Sequence, residues 1–196
     1  LPDLFEEREQ LLWGPYASKA GERREAQEEG STQISTKGRR VGIPRALHFY
    51  EFFPYWKAFF SALGFEVAVS DPTNRHLIHE ASERAAVEAC FPVKVALGHI
   101  INLLEKEIDY LFVPSMITTH NETGQDKQNS YLCPYVQSWP YMMRSVLNLW
   151  ETPEGQRREL TLLEPHVSFQ LGRKAVEKEL VQFAPVLKVS IKAIKK

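Results

Sequence analysis

The stretch VGIPRALHFYEFFPYWKAFFSALGFEVAVS, Val41 to Ser70, decides the fold class. VGIP opens as a short buried strand stopped by Pro44, whose nitrogen has no proton to give a ladder. Behind it Phe52, Trp56, Phe59, Phe60 and Leu63 recur at i, i+4, i+7, i+8 and i+11, one face of a helix. This aromatic set is read as core, not as a stacking platform. Gly64 supplies the C-terminal stop. Pro54 suits a first turn better than a helix interior, so the helix is expected to restart there. FEVAVS then reads as a second strand, closed by the turn residues Asp71, Pro72 and Asn74.

The pattern continues outward. A short helix is expected over His76 to Glu83. After Cys90, the apolar stripe Val93, Leu97, Ile100, Ile101 and Leu104 predicts a helix ending near Lys106. DYLFVP, Asp109 to Pro114, is a third strand, Thr118 to Ser130 a polar loop, and Pro134 to Leu149 another helix. Strand–helix alternation with right-handed crossovers implies a parallel, three-layer α/β sheet of flavodoxin-like or Rossmann-like character. ELTLLEPHVSF adds a strand, Gly172 to Phe183 a helix, and Val186 to Lys196 a partial helix. Toward the N-terminus, LPDLFEEREQLLWGPY is an amphipathic helix with Leu4, Phe5, Leu11 and Leu12 as its apolar stripe. Ala17 to Arg40 is charged and glycine-bearing, with acids between its basic residues, and reads as a solvated tether. The expected division is therefore residues 1–40 as helix and linker, 41–150 as the α/β domain, and 151–196 as a C-terminal extension. Leu1 in place of methionine suggests a segment of a longer chain.

Bulk properties narrow the function. The chain of 196 residues is 43 % hydrophobic with a formal charge of −1, enough for a packed core without staples. That charge supplies no global basic field for nucleic acid or anionic membrane. No apolar run reaches the roughly 18 residues of a membrane span. Two cysteines are too few for a secreted disulfide framework and fit a reducing cytoplasm.

Those two cysteines stand in similar settings, ACFPVKVALGH and LCPYVQSWP. Pro92 and Pro134 mark helix starts, with Cys90 and Cys133 just outside them. Free N–H groups and the positive end of the helix dipole there favour the thiolate, the form that binds metal. Ser115 directly follows the third strand, at the carboxyl edge where parallel sheets gather ligands, so Cys90, Ser115 and Cys133 are expected around one crevice. The bland reading is that both cysteines are small buried hydrophobes. There is no CxxC pair, and spacing alone specifies neither a metal site nor a Cys90–Cys133 disulfide.

VGIPRALHFYEFFPYW, DPTNR, CFPVKVALGHI, DYLFVPS and NSYLCP, in this order, resemble a domain of the ASKHA-type acyl-CoA dehydratase activase-related proteins. That domain lies beyond their ATP-binding part and is akin to subunits of the 2-hydroxyacyl-CoA dehydratase and benzoyl-CoA reductase family. The resemblance implies an electron-relay role, with Cys90 and Cys133 at cluster-ligand positions of a 4Fe-4S centre that feeds electrons toward an acyl-CoA thioester. It implies as partners the ATPase part of a parent chain and a dehydratase-like subunit. Relatives carry proline–cysteine where this sequence has Pro114-Ser115, and serine is a poor substitute for a soft thiolate. The alternative is a non-catalytic scaffold with a degenerate cluster site.

Other candidates weigh less. Arg45, following the first strand, points to the same crevice and is a candidate contact for an anion such as a CoA phosphate, with a surface ion pair as the alternative. His120 and Asn121 are candidate crevice residues. Tyr50 and Glu51 match the family pattern in packing and helix-start roles. His99 is read as a satisfied core or surface histidine rather than a ligand, and His76 with His79 lacks a third zinc ligand nearby. No GxxxxGK[ST], GxGxxG or GxSxG element occurs, so no nucleotide is expected in this segment, and no stand-alone catalytic motif is found.

Overall fold

Two central strands, β1 (Arg40–Ile43) and β3 (Tyr110–Phe112), carry the sheet, flanked by β2 (Glu66–Val69) and β5 (Thr161–Leu163) in the order β2-β1-β3-β5, every pair parallel. The structure, a computed structural model, describes residues 3–17, 38–85, 89–119, 130–148 and 160–195, with the backbone alone for 14–17 and 145–148. Around the sheet run α1 (Leu4–Ala17), α2 (Phe49–Ala62), α3 (Arg75–Arg84), α4 (Phe91–Leu104), α5 (Pro134–Asn148), α6 (Arg173–Val181), α7 (Ala184–Leu187) and α8 (Ile191–Ile194). The expected parallel α/β class is the observed one.

Period-two alternation assigns the layers. Val41, Ile43, Tyr110 and Phe112 face one core with α2, α6 and α7, whereas Ala68, Leu111 and Val113 face the other with α4 and α5. Right-handed crossovers demand this split, since the chain steps outward from β1 to β2 and then back across to β3. The sheet's topological switch point therefore lies between β1 and β3.

Several expectations change in detail. α2 begins at Phe49 and runs through Pro54 without restarting, so the buried face is Phe49, Phe53, Trp56 and Phe60. A single missing N–H near a helix start is offset by aromatic packing, including Trp56 on Phe112 at 4.7 Å and Phe60 on Phe112 at 5.0 Å. α2 ends at Gly64, φ 86°, with the Phe65 N–H donating to the Phe60 carbonyl and the Gly64 N–H to that of Ser61, a Schellman closure. In α1 the apolar stripe faces outward: Leu4, Phe5 and Leu11 are exposed, and Leu12 and Trp13 make the contact with the core. Residues 160–195, expected as an extension, supply the fourth strand and pack Val176, Leu180, Ala184 and Leu187 into the same core. The C-terminal helix is split into α7 and α8 by Lys188, which adopts φ 55°.

The sequence reading also missed a continuation. Beyond Pro114 the chain of β3 runs on as β4 (Ser115–Thr118), and beyond Pro165 that of β5 runs on as β6 (His166–Ser168), paired in parallel. N–H bonds from Val113 to the Leu163 carbonyl and from Ser115 to that of Pro165, both 2.9 Å, carry the ladder past the two prolines. The register places Gly42 opposite Leu111, so β4 overhangs the end of β1. That overhang walls the switch point on one side.

Candidate functional site

Helices that follow or precede parallel strands run antiparallel to them, so α2, α4 and α5 all start at the carboxyl edge of the sheet. At the switch point on this edge lies an apolar cavity of about 50 Å³. Its walls come from the end of β1 (Ile43, Pro44), the end of β3 (Phe112, Pro114), Met116 of β4, the first turns of α2 and two residues of α5, Val136 and Trp139. Open α/β sheets bind ligands at this topological position. The space is smaller than the roughly 150 Å³ that admits a benzene ring. Leu47 lines it at φ 56°, a left-handed conformation that costs a branched residue about 1–2 kcal/mol.

Cys133 is fixed by the wall of this crevice. The chain returns beside β4 through N–H bonds from Thr119 to the Ser130 carbonyl (2.9 Å) and from Leu132 to that of Ile117 (3.0 Å). Cys133 follows at once and its carbonyl accepts from Val136 and Gln137 in the first turn of α5. Ser115, 2 % exposed, donates its hydroxyl to the Gln137 carbonyl at 2.5 Å, and Gln137 Nε2 donates to the Leu132 carbonyl at 2.7 Å. Ser115 is thus a brace that holds the α5 start against β4. Pro140 lies inside the same helix and removes an N–H from its ladder.

Cys90 is the N-cap of α4, in extended conformation, and its carbonyl accepts from Val93 (3.0 Å) and Lys94 (3.1 Å). Pro92 occupies the second helical position behind Phe91, not the first. Both cysteines are free and exposed, which removes the reading of them as small buried hydrophobes. Exposed aromatics flank them: Phe91 beside Cys90, and Tyr131 and Tyr135 around Cys133. Among the described residues, no group of three or more His, Cys, Asp or Glu side chains is placed to hold a metal ion. His76 and His79 are exposed on α3. His120 and Asn121 lie outside the described residues.

A second polar cluster lies beside the first, between β2 and α4. His99 is fully buried, with Nδ1 2.9 Å from Ser70 Oγ and Nε2 3.0 Å from Thr73 Oγ1. Burial, helped by the Arg45 charge and opposed by Asp71, pushes its pKa down to about 4. The neutral ring carries one N–H, so one hydroxyl donates to it and the other accepts. Ser70 Oγ also accepts the backbone N–H of Arg45 at 2.8 Å. Asp71 is held below its usual range by a hydrogen bond from Lys106, then by one from Asn102. His99 is therefore the satisfied core histidine that its apolar helix suggested.

Arg45 stands between these clusters, and sequence reasoning missed its partner. Its Nη2 lies 2.6 Å from Oε1 of Glu9 on α1. The Tyr50 hydroxyl donates to the same oxygen at 2.6 Å, and the Trp13 indole donates to Glu9 Oε2 at 3.0 Å. Partial burial pushes the Glu9 carboxyl up, but the bonds from Tyr50 and Trp13 and the Arg45 charge together hold it below the carboxylate range. Thirty-six positions separate Glu9 from Arg45, so no local pattern could have announced the pair.

A parallel α/β sheet with an apolar crevice at its switch point is an architecture of the doubly wound class, in which ligands bind at that position; Cys90, Ser115, Cys133 and Arg45, expected around one crevice, are not among the residues that line it. Residues 40–196 match the family described as the CoA enzyme activase uncharacterised domain, DUF2229, and the chain belongs to that family. No curated protein and no solved structure matches it. The family supports the acyl-CoA dehydratase activase relationship read from the sequence motifs. No helix among the described residues is long and apolar enough to cross a membrane.

Proposed function

We propose that this chain is an electron-relay module of an acyl-CoA dehydratase activase-related protein, in which Cys90 and Cys133 supply two thiolates to an iron–sulfur centre. The observation that carries the reading is the placement of both cysteines of the chain, free and exposed, at helix starts on one edge of one sheet. A 4Fe-4S cluster in its common form takes four thiolates. This chain has two, and the hydroxyl of Ser115 is committed to Gln137, so its residues fit half of such a site. The remaining ligands then come from outside the segment, from the ATPase part of a parent chain or from a dehydratase-like subunit. When bound, the cluster supplies one-electron chemistry. Phe91, Tyr131 and Tyr135 give the partner an apolar rim to cover, and burying that rim would keep water from the centre. A cytoplasmic, reducing setting keeps the thiols free.

A second reading, a scaffold without a cluster, is favoured by the brace at Ser115 and by the lack of a third metal-ligating group among the described residues. Replacing both cysteines with serine in the full parent chain separates the two. The relay requires loss of electron transfer with partner binding and folding intact. Unchanged electron transfer establishes the scaffold.

A further inference from the structure

We propose that Arg45 and Tyr50 form a binding site for an oxyanion, a phosphoryl or carboxylate group, which the protein's own Glu9 occupies, so that ligand binding releases α1. The proposal does not depend on the cysteines. The donors converge on the Glu9 carboxylate: the Arg45 guanidinium at 2.6 Å from the β1–α2 connection and the Tyr50 hydroxyl at 2.6 Å from the first turn of α2. Arg45 is itself held in place, through its backbone N–H, by Ser70 and behind Ser70 by His99. The Arg45 side chain is only 10 % exposed. A guanidinium so enclosed cannot be left without a counter-charge, because the desolvated ion would lose its compensation. If Glu9 leaves, another anion must enter, and the planar fork of arginine accepts carboxylate and phosphate alike.

The occupant is weakly attached elsewhere. Leu4, Phe5 and Leu11 of α1 are each about 70 % exposed, so among its described residues only Leu12 and Trp13 bury apolar surface against the core. Among its described residues, Leu12 and Trp13 pack on the core, with the edge of Trp13 on Phe53 at 5.0 Å, the Arg8 guanidinium over Tyr50 at 3.5 Å and Lys57 over Trp13 at 5.0 Å. Two of these groups, Trp13 and Tyr50, also bind the Glu9 carboxylate directly, so loss of the carboxylate contact loosens the rest. Arg45 follows β1, at the carboxyl edge of the sheet, and the Glu9 side chain that caps it is 24 % exposed. Nothing in the geometry selects phosphoryl over carboxylate, and two probes separate them.

Isothermal titration of the full chain with inorganic pyrophosphate and, separately, with succinate tests the site. Glu9→Gln removes the internal competitor and should bind one of the two about tenfold more tightly than the wild type, and the preferred probe identifies the source. Adding Arg45→Met to that variant should abolish the gain. Fluorine NMR of 5-fluorotryptophan-labelled protein, with the Trp13 line assigned by Trp13→Phe, should show that line moving as the probe is added to the wild type. Circular dichroism verifies that each variant is folded. The proposal is overturned if Glu9→Gln gains no affinity for either probe, if the gain survives Arg45→Met, or if the Trp13 line stays fixed at saturation.

Discussion

Cys90 and His99 stand nine residues apart, one capping α4 and the other inside it, and the protein treats them in opposite ways. His99 is sealed between two hydroxyls and held neutral. Cys90 and its counterpart Cys133 are left at the surface on helix starts with exposed aromatics beside them. Polar groups inside the carboxyl edge tie the loops after β1 and β2 to α4 and so belong to the fold. The rim thiols are free and exposed to solvent. The same edge thus has a sealed polar interior and an exposed rim that carries both thiols.

The comparison can be broken from the interior first. His99→Ala should cost about 4 kcal/mol in urea unfolding, from the lost ring volume plus a buried Ser70 hydroxyl deprived of its partner. A cost under about 1 kcal/mol would remove the claim that this cluster holds the fold. Acid is the next lever. His99 binds its proton more weakly in the folded protein than in the unfolded chain, so stability should fall as pH drops from 6.5 toward 4, by a total of about 3 kcal/mol, and no further from this group below 4. Glu9 and Asp71, whose pKa values are lowered from 4.5 and 3.8, add their losses at the acid end of that range and below it. Thermal melts of His99→Gln against the wild type isolate the His99 contribution, which should flatten between those pH values.

Gly98→Ala sharpens the same side of the comparison. An added Cβ would lie 2.3 Å from the Leu77 carbonyl oxygen, so α3 must move off α4 at a cost of about 2 kcal/mol, read from the denaturation midpoint. At the rim the expected effect is smallest. Cys90→Ser and Cys133→Ser should each change stability by less than about 0.5 kcal/mol, since both side chains are exposed. A larger loss at either position would place that thiol with the interior and weaken its reading as a ligand.

How far the sequence anticipated this is clearest from individual residues. The βαβ reading of Val41 to Ser70 was correct because a four-residue strand, an aromatic helix face and a glycine stop are local signals. Pro54 misled it: the rule against proline in a helix is also local, whereas the packing of Phe49, Phe53, Trp56 and Phe60 that overrides it is tertiary. β4 was hidden because Ser115 to Thr118 has no alternation of its own and is a strand only by pairing with β6. Ser115 itself was legible as a residue of the carboxyl edge but not as the brace of α5, which needs the position of Gln137. The Glu9–Arg45 contact was invisible for the same reason, since it joins distant parts of the chain. Helix-start cysteines, by contrast, were readable because a proline within two residues of each marked the helix boundary.

The central claim, that the two rim thiols are cluster ligands, is tested most directly by anaerobic reconstitution of the full parent chain with iron and sulfide. Iron and acid-labile sulfide are then counted in wild type, Cys90→Ser and Cys133→Ser. The account predicts a coloured wild type with bound iron and a colourless protein when either cysteine is replaced. A wild type that emerges free of iron, or serine variants that retain the full complement, would contradict it.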